Sequence, residues 1–461
     1  MKEDRINIIG AGAAGLTAAI TLAMKGMKSR LIYLEESDSP LNVDDIKIPA
    51  SAAEHEEETM KAGGYIIDPN AVKFLAVTAP AFISWLKELG AGDVMQALNR
   101  ERNRFGAEGT IMSFPGHAFH SLITEEEDGE RRCVGVRAQR IGDGQIIAFD
   151  GRVIMATGGL YGFFPGSGAD EASGDAAAKL FAAGVKFSDL EMISSAPQIV
   201  CRDGKTLPLR KEIEKYILSA DGQSCLDMRA LKRKVFRQSF PGLRKEIKKL
   251  AGADPKKAVI PLEMSIDYFP GGIDVDFFHQ TSLHGLFAAG ECCSAYNGAG
   301  VLEENKILSA ICGGNAAASF IADRNITLVN SEESAPDGTP EGAAGPEDVL
   351  CSSAFRVRTG VILKDALGRP GDESSLSEAL ELIDGVLGEE LTENEKAWAL
   401  LAKAMVLSAL YRKESRGLHK RSDHPEMDEA FVGLVTAVLE GGEIKTGLKK
   451  PDENGGVPLT R

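Results

Sequence analysis

The run Gly10-Ala11-Gly12-Ala13-Ala14-Gly15 constrains this chain more than any other feature. The apolar stretch 6–9 before it reads as a buried strand, residues 16–24 after it as a helix, and 30–34 as a second, parallel strand. In that setting each glycine has a task. Gly10 permits the tight turn, Gly12 lets backbone approach a pyrophosphate, and Gly15 lets the helix pack closely on the strand. The helix start at Ala13 and Ala14 offers free N–H groups and the positive end of a dipole to phosphates. Glu35 ends the second strand, followed by Glu36, at the distance where an acid accepts hydrogen bonds from ribose hydroxyls. The expectation is a dinucleotide site.

The length of 461 residues predicts more than one domain. A net charge of -16 argues against nucleic acid and anionic membrane surfaces as partners. The apolar run after Lys2 is interrupted by Gly10, Gly12 and Gly15, so it reads as strand and turn rather than as a signal peptide. With no apolar stretch of about 20 residues elsewhere, the chain is expected to be cytoplasmic and not inserted in a membrane. Its seven cysteines show no C-x-x-C spacing, which predicts buried thiols, no metal site and no iron–sulfur cluster of its own.

Further along, residues 71–89 read as an amphipathic helix with a break at Pro80. Residues 131–140 and 145–149 read as a hairpin turning at Gly142-Asp143-Gly144. Strands are expected at 153–156 and 286–289, and helices at 175–183, 305–321, 375–387 and 393–412. A short strand at 431–439 closes the pattern. The basic stretch around Lys232, Arg233, Lys234 and Arg237 suggests a small separate module, its charges read first as a solvated helix face.

Several blocks resemble the flavoprotein subunits of fumarate reductase and succinate dehydrogenase, and L-aspartate oxidase. The segments Ala156-Thr157-Gly158-Gly159 and Gly290-Glu291 are similar to the distributed FAD-binding elements of large flavoproteins. His55 through Thr59, then Ala62-Gly63-Gly64, looks like the family's H-x-x-D-T-x-x-A-G segment. Gly174-Asp175 through Glu191 looks like its G-D-G block, and Glu414 through Pro425 matches E-S-R-G-x-H-x-R-x-D-x-P. The resemblance implies an α/β fold: a Rossmann-like FAD-binding domain over 1–198 and 256–325, a reduced capping domain over 199–255, a linker over 326–350, and a C-terminal helical domain over 351–461. It implies an FAD-dependent oxidoreductase holding FAD non-covalently, since no histidine stands at the attachment position. Gly10, Gly12, Ala13, Ala14, Gly15, Glu35, Glu36, Ala156, Thr157, Gly158, Asp175, Gly290, Glu291, Asn305, Ile307 and Leu308 would line the cofactor. Glu291 would bond the ribityl chain, and the helix near Asn305 would aim its N-terminus at the flavin pyrimidine edge. Family members of the reductase type dock an iron–sulfur subunit, so an iron–sulfur or ferredoxin-like electron partner is implied.

The resemblance fails where the family binds its dicarboxylate. Ala196 and Asp267 stand at histidine positions, Gln198 at a threonine and Val301 at an arginine. Replacing those groups removes charge-assisted pairs and adds repulsion. The expected substrate is therefore a different small molecule. Asp267 becomes the candidate general base or cation-binding group. For the capping domain's proton-donating arginine, one alignment nominates Arg233, while another deletes the helix that carries it. Cys292 and Cys293 sit beside Gly290-Glu291, where small packing residues are the first reading and redox-active thiols the second.

Overall fold

In the computed structural model of the protein, the described residues are 5–36, 42–90, 92–164, 173–201, 242–324, 349–368 and 370–451, with 206–208, 213, 216–220, 223–232, 234, 236 and 339–343. The strand Arg5–Ala11 lies at the centre of a five-stranded sheet because Ile6, Asn7, Ile8 and Ile9 are buried on both faces. The order across the sheet is Leu286–Ala288, Val153–Met155, Arg5–Ala11, Lys28–Glu36 and Ile111–Pro115, and all pairs are parallel. Burial on both faces is what continuous apolar strands of this kind require. The helices Ala13–Met24 and Glu303–Arg324 pack together on one face, with Leu16, Ile20, Leu308 and Ile311 in their shared core.

A four-stranded antiparallel sheet holds His117–Glu127, Glu130–Arg140, Gln145–Asp150 and Thr339–Ala343. The expected hairpin is its middle pair. The strand at its edge comes from the stretch read as a linker, because backbone pairing there is made with a segment nearly two hundred residues earlier. The capping module is a second antiparallel sheet, ordered Thr206–Pro208, Ser194–Val200, Ile260–Tyr268, Gln223–Leu226 and Ile217–Ala220. It has its own small core of Ile199, Leu226, Met228, Phe236, Ile247 and Ile260. Of its two longest strands, Ile260–Tyr268 lies wholly and Ser194–Val200 mostly outside 199–255, so the module takes in both chain crossings into the FAD-binding domain.

Helices Ser353–Leu367, Glu373–Leu387 and Glu393–Tyr411 form the C-terminal helical layer. Trp398, fully buried, stacks on Phe163 at 3.8 Å and joins this layer to the rest. The hairpin Leu434–Glu440 and Glu443–Lys449 leaves the helices and completes a sheet with Phe187–Ser188, Gly272–Asp274 and Cys293–Ser294. Pro80 does not break its helix: Pro69–Glu88 runs through it. Pro80 is exposed, where one missing backbone hydrogen bond costs least.

Candidate functional site

The glycine turn opens a cleft of about 340 Å³ between the ends of the parallel strands. Its wall includes Gly10, Ala11 and Gly12, then Glu35, then Ala156, Thr157, Gly158 and Gly159, with Tyr161, Asp175 and Glu291 behind them. Gly10 holds φ +113°, and a side chain there would reach within 2.1 Å of the Ala156 carbonyl oxygen. A Cβ on Gly12 would meet nothing within 4 Å, and the same holds at Gly158. Those two positions leave bare backbone facing open space, which is what a dinucleotide pyrophosphate needs. Gly12 caps the helix Ala13–Met24 in an extended conformation with no side-chain cap. The first-turn N–H groups at Ala13, Ala14 and Gly15 have no acceptor within the helix, so they form an anion site. The cleft thus fits a dinucleotide by its backbone shape and its polarity.

The other expected cofactor residues fall into three groups. Glu35 is exposed on the cleft rim, and Glu291 lies deep in its wall. Glu291 Oε1 accepts from the Tyr161 hydroxyl at 2.6 Å and from Phe269 N at 3.0 Å. Burial pushes its carboxyl up to about 7. Glu36 is turned to Arg102 at 2.8 Å and to the Tyr33 hydroxyl at 3.2 Å. Asp175 lines the cleft but accepts from Cys351 N at 2.7 Å and pairs with Arg356 at 2.7 Å, which docks the C-terminal layer. Asn305 is buried and doubly held, by His55 Nε2 on its Oδ1 at 2.7 Å and by its Nδ2 donating to Thr59 Oγ1 at 2.9 Å. Leu308 is in the hydrophobic core and Ile307 is half-buried beside it. Gly290 holds φ +80° against Ala14.

Behind Tyr161 and Glu291 of the cleft wall the capping strand Ile260–Tyr268 passes into the FAD-binding domain. The Tyr161 hydroxyl is 3.1 Å from the Asp267 carbonyl oxygen, which ties this junction to Glu291. The Asp267 side chain does not stand alone. Its Oδ2 accepts from Lys306 Nζ at 3.0 Å, while its Oδ1 is buried with no partner. Lys306 also pairs with Glu303 at 2.8 Å, in the first turn of Glu303–Arg324. Burial works against the Lys306 ammonium, but its hydrogen bonds and charge contacts with Glu303 and Asp267 outweigh that and hold its pKa above the ordinary lysine value. Sequence reasoning missed Lys306. The available signal was its place directly after Asn305, in a helix start already assigned to the flavin. Arg233 lies outside the described residues.

Cys292 and Cys293 are buried, their thiols directed at the Ala289 and Gly290 carbonyls at 3.2 Å each. The neighbouring Cys292 thiol, and then burial, raise the Cys293 thiol. The E-S-R-G block builds a buried clamp. Glu414 takes Arg412 at 2.9 Å and Arg416 at 2.8 Å, and Arg412 reaches Glu191 at 2.7 Å. Arg416 Nη1 donates to the Gly64 carbonyl at 2.9 Å, and Leu418 N donates to the Ala299 carbonyl at 2.8 Å. His419 serves this loop: its Nε2 is 3.1 Å from the Arg412 carbonyl oxygen, and burial lowers its pKa to about 4. The clamp therefore holds the loop at 297–300 and the turn at Gly63-Gly64 from beneath.

Residues 6–110 and 208–307 match the FAD binding domain family, and 390–450 match the fumarate reductase flavoprotein C-terminal family. The chain is a divergent member of the fumarate reductase/succinate dehydrogenase flavoprotein and L-aspartate oxidase superfamily. It is 29% identical to an L-aspartate oxidase of Pyrococcus horikoshii, over 94% of this chain and 98% of that protein. It is 23% identical to a fumarate reductase flavoprotein subunit of Haemophilus influenzae, over 92% and 90% of the two chains. In structure it is similar to FrdA of E. coli quinol fumarate reductase, with a TM-score of 0.80 at 19% identity over 99% and 98% of the chains, which establishes the shared fold. FAD is the cofactor of this superfamily member, and it acts as an FAD-dependent oxidoreductase. The residues that would hold FAD are the glycine turn, Glu35 at the ribose, and Thr157, Gly158 and Glu291 along the cleft. Bound there, the flavin supplies the two-electron acceptor, and the protein supplies orientation and electrostatics. Among the described residues no helix is long and apolar enough to cross a membrane, and no cluster of three or more histidine, cysteine or acidic side chains is placed to hold a metal.

Proposed function

We propose that this protein oxidises or reduces a small molecule other than succinate, fumarate or aspartate, and exchanges electrons with a partner protein through non-covalent FAD. The observation that carries the reading is the Asp267–Lys306 ion pair, which adjoins the cleft wall through Tyr161. Where the resemblance places a histidine that meets a dicarboxylate, this chain has a carboxylate already paired with its own lysine. Ala196, Gln198 and Val301 add no cation nearby, and Gln198 is buried with its Nε2 donating to the Ile266 carbonyl at 3.3 Å. A dianion brought to this point meets the Asp267 carboxylate, a lysine already engaged by two carboxylates, and no bidentate partner. Asp267 then serves as general base or as the contact for a positively charged substrate group, its buried Oδ1 having no protein donor. The Haemophilus relative is named as a flavoprotein subunit, which supports an electron-accepting partner for this chain too.

Anaerobic mixing of the FAD-loaded protein with succinate and with aspartate, and of its reduced form with fumarate, tests the reading. No change in flavin absorbance is expected within minutes at millimolar concentration. Rapid bleaching or reoxidation by any of the three would refute it and restore the dicarboxylate assignment. A protein that responds to no metabolite, yet exchanges electrons with dyes and with a ferredoxin-like protein, would be an electron-transfer subunit instead.

A further inference from the structure

Three features of the Asp267–Lys306 pair go beyond a structural role. The pair is one hydrogen bond removed from the cleft wall, through the Asp267 carbonyl, Tyr161 and Glu291. The Lys306 ammonium sits in the first turn of a 22-residue helix, at its positive dipole end, and its charge is felt by Glu291 in the cleft wall. The pair is also incomplete. An ion pair placed for stability uses both carboxylate oxygens, yet Asp267 Oδ1 is buried without a donor.

We infer that Lys306 sets the reduction potential of the FAD bound in this cleft, and that Asp267 and Glu303 position and partly offset its charge. The inference rests on FAD occupying the cleft and needs no substrate. A cation at this end stabilises the negative charge the flavin gains on reduction, and the surroundings are dry enough for a single charge to be felt. The side chains of Lys306 and Asp267 are 22% and 18% exposed, so solvent screens them only in part. The Lys306 ammonium also lies 5.9 Å from the centre of the Tyr268 ring, over its face. Tyr268 is in turn anchored by Asn297 Nδ2 at 3.0 Å. An ammonium fixed from three directions is preorganised for the charge that develops.

The electrostatic reading makes a prediction of opposite signs. Removing the cation must lower the potential. Removing the neighbouring anion must raise it, whichever group lies nearer the ring. A structural role would move both variants the same way. The experiment is equilibration of the FAD-loaded protein with indicator dyes under anaerobic conditions, comparing wild type with Lys306→Met, Asp267→Asn and Lys306→Arg. The expected result is a lower midpoint for K306M, a higher one for D267N, and a value near wild type for K306R, all with full flavin content. An unchanged midpoint in K306M, or shifts of the same sign in K306M and D267N, overturns the inference. Should K306M lose its flavin, D267N decides alone: a fall or no change refutes it. The readout is independent of the metabolite screen, so a dicarboxylate that proves to be a substrate leaves this test standing, and the reverse holds too.

Discussion

Arg412 gives the sharpest prediction about stability. Its guanidinium is fully buried and donates to Glu191 Oε1 at 2.7 Å, Glu414 Oε1 at 2.9 Å, and the carbonyls of Phe431 and Gly433 at 2.9 and 2.8 Å. Asp189 lies 3.6 Å away, its carboxylate also fully buried. With Arg416 the cluster holds two guanidinium groups and three carboxylates. One carboxyl is therefore in excess, and burial raises both Asp189 and Glu191 above the ordinary carboxylate range. Arg412→Met removes one cation and strands the acids, at a cost of about 3–5 kcal/mol. At roughly 2–4 °C per kcal/mol for a large domain, the unfolding temperature should fall by about 6–20 °C at pH 7.5. The deficit should shrink towards pH 5. In the variant the stranded carboxyls have pKa values still further above those of the unfolded chain. Their protonated form is stable in the fold at low pH, and the fold loses stability as pH rises through those raised values. Scanning fluorimetry of the FAD-loaded protein at both pH values measures this. A fall of less than about 2 °C at pH 7.5, below what even 1 kcal/mol would give, or equal falls at both pH values, would show that the clamp is not the electrostatic unit described.

Other substitutions separate cofactor binding from folding. Gly12→Val should leave unfolding of the flavin-free protein within about 1 kcal/mol of wild type, since its side chain enters open space, but should abolish flavin retention on gel filtration. Gly10→Ala should instead destabilise the chain itself by about 2 kcal/mol or more, because its Cβ collides with the Ala156 carbonyl at positive φ; soluble yield and unfolding temperature report it. Trp398→Ala should cost about 3–5 kcal/mol through loss of the stack on Phe163 and the cavity left behind, read by denaturant titration. FAD affinity should weaken as pH falls through about 7, where Glu291 takes up a proton and loses an acceptor, and Glu291→Gln should flatten that dependence in a fluorescence titration.

The parts of the molecule legible in the sequence are those with local demands on the backbone. The turn from Gly10 to Gly15 needs particular torsions and close approaches, and only glycine meets them, so residue type betrays geometry. Strand and helix periods around it were equally direct. What escaped depends on partners far along the chain. The edge strand Thr339–Ala343 has no apolar alternation and exists because Gln145–Asp150 lies beside it. Lys306 reads as an ordinary helical lysine until the capping strand brings Asp267 to it. The order of residues in the E-S-R-G block marked ancestry, yet said nothing of the buried clamp of Glu191, Arg412, Glu414 and Arg416, whose acid at 191 lies more than two hundred positions away. Asp175 shows the same limit, since its resemblance to a cofactor residue said nothing of Arg356.

The hairpin Leu434–Lys449 bears on how the protein comes into being. Val435 N donates to Asp189 Oδ1 across 246 positions, and the same strand completes the sheet that carries Gly272–Asp274 and Cys293–Ser294. During synthesis at about 5–20 residues per second, the flavin half must wait many seconds for its missing edge. The glycine turn is made long before this sheet can close. Chains cut short before the hairpin should therefore retain less flavin than the full chain, as flavin absorbance of the purified proteins would show.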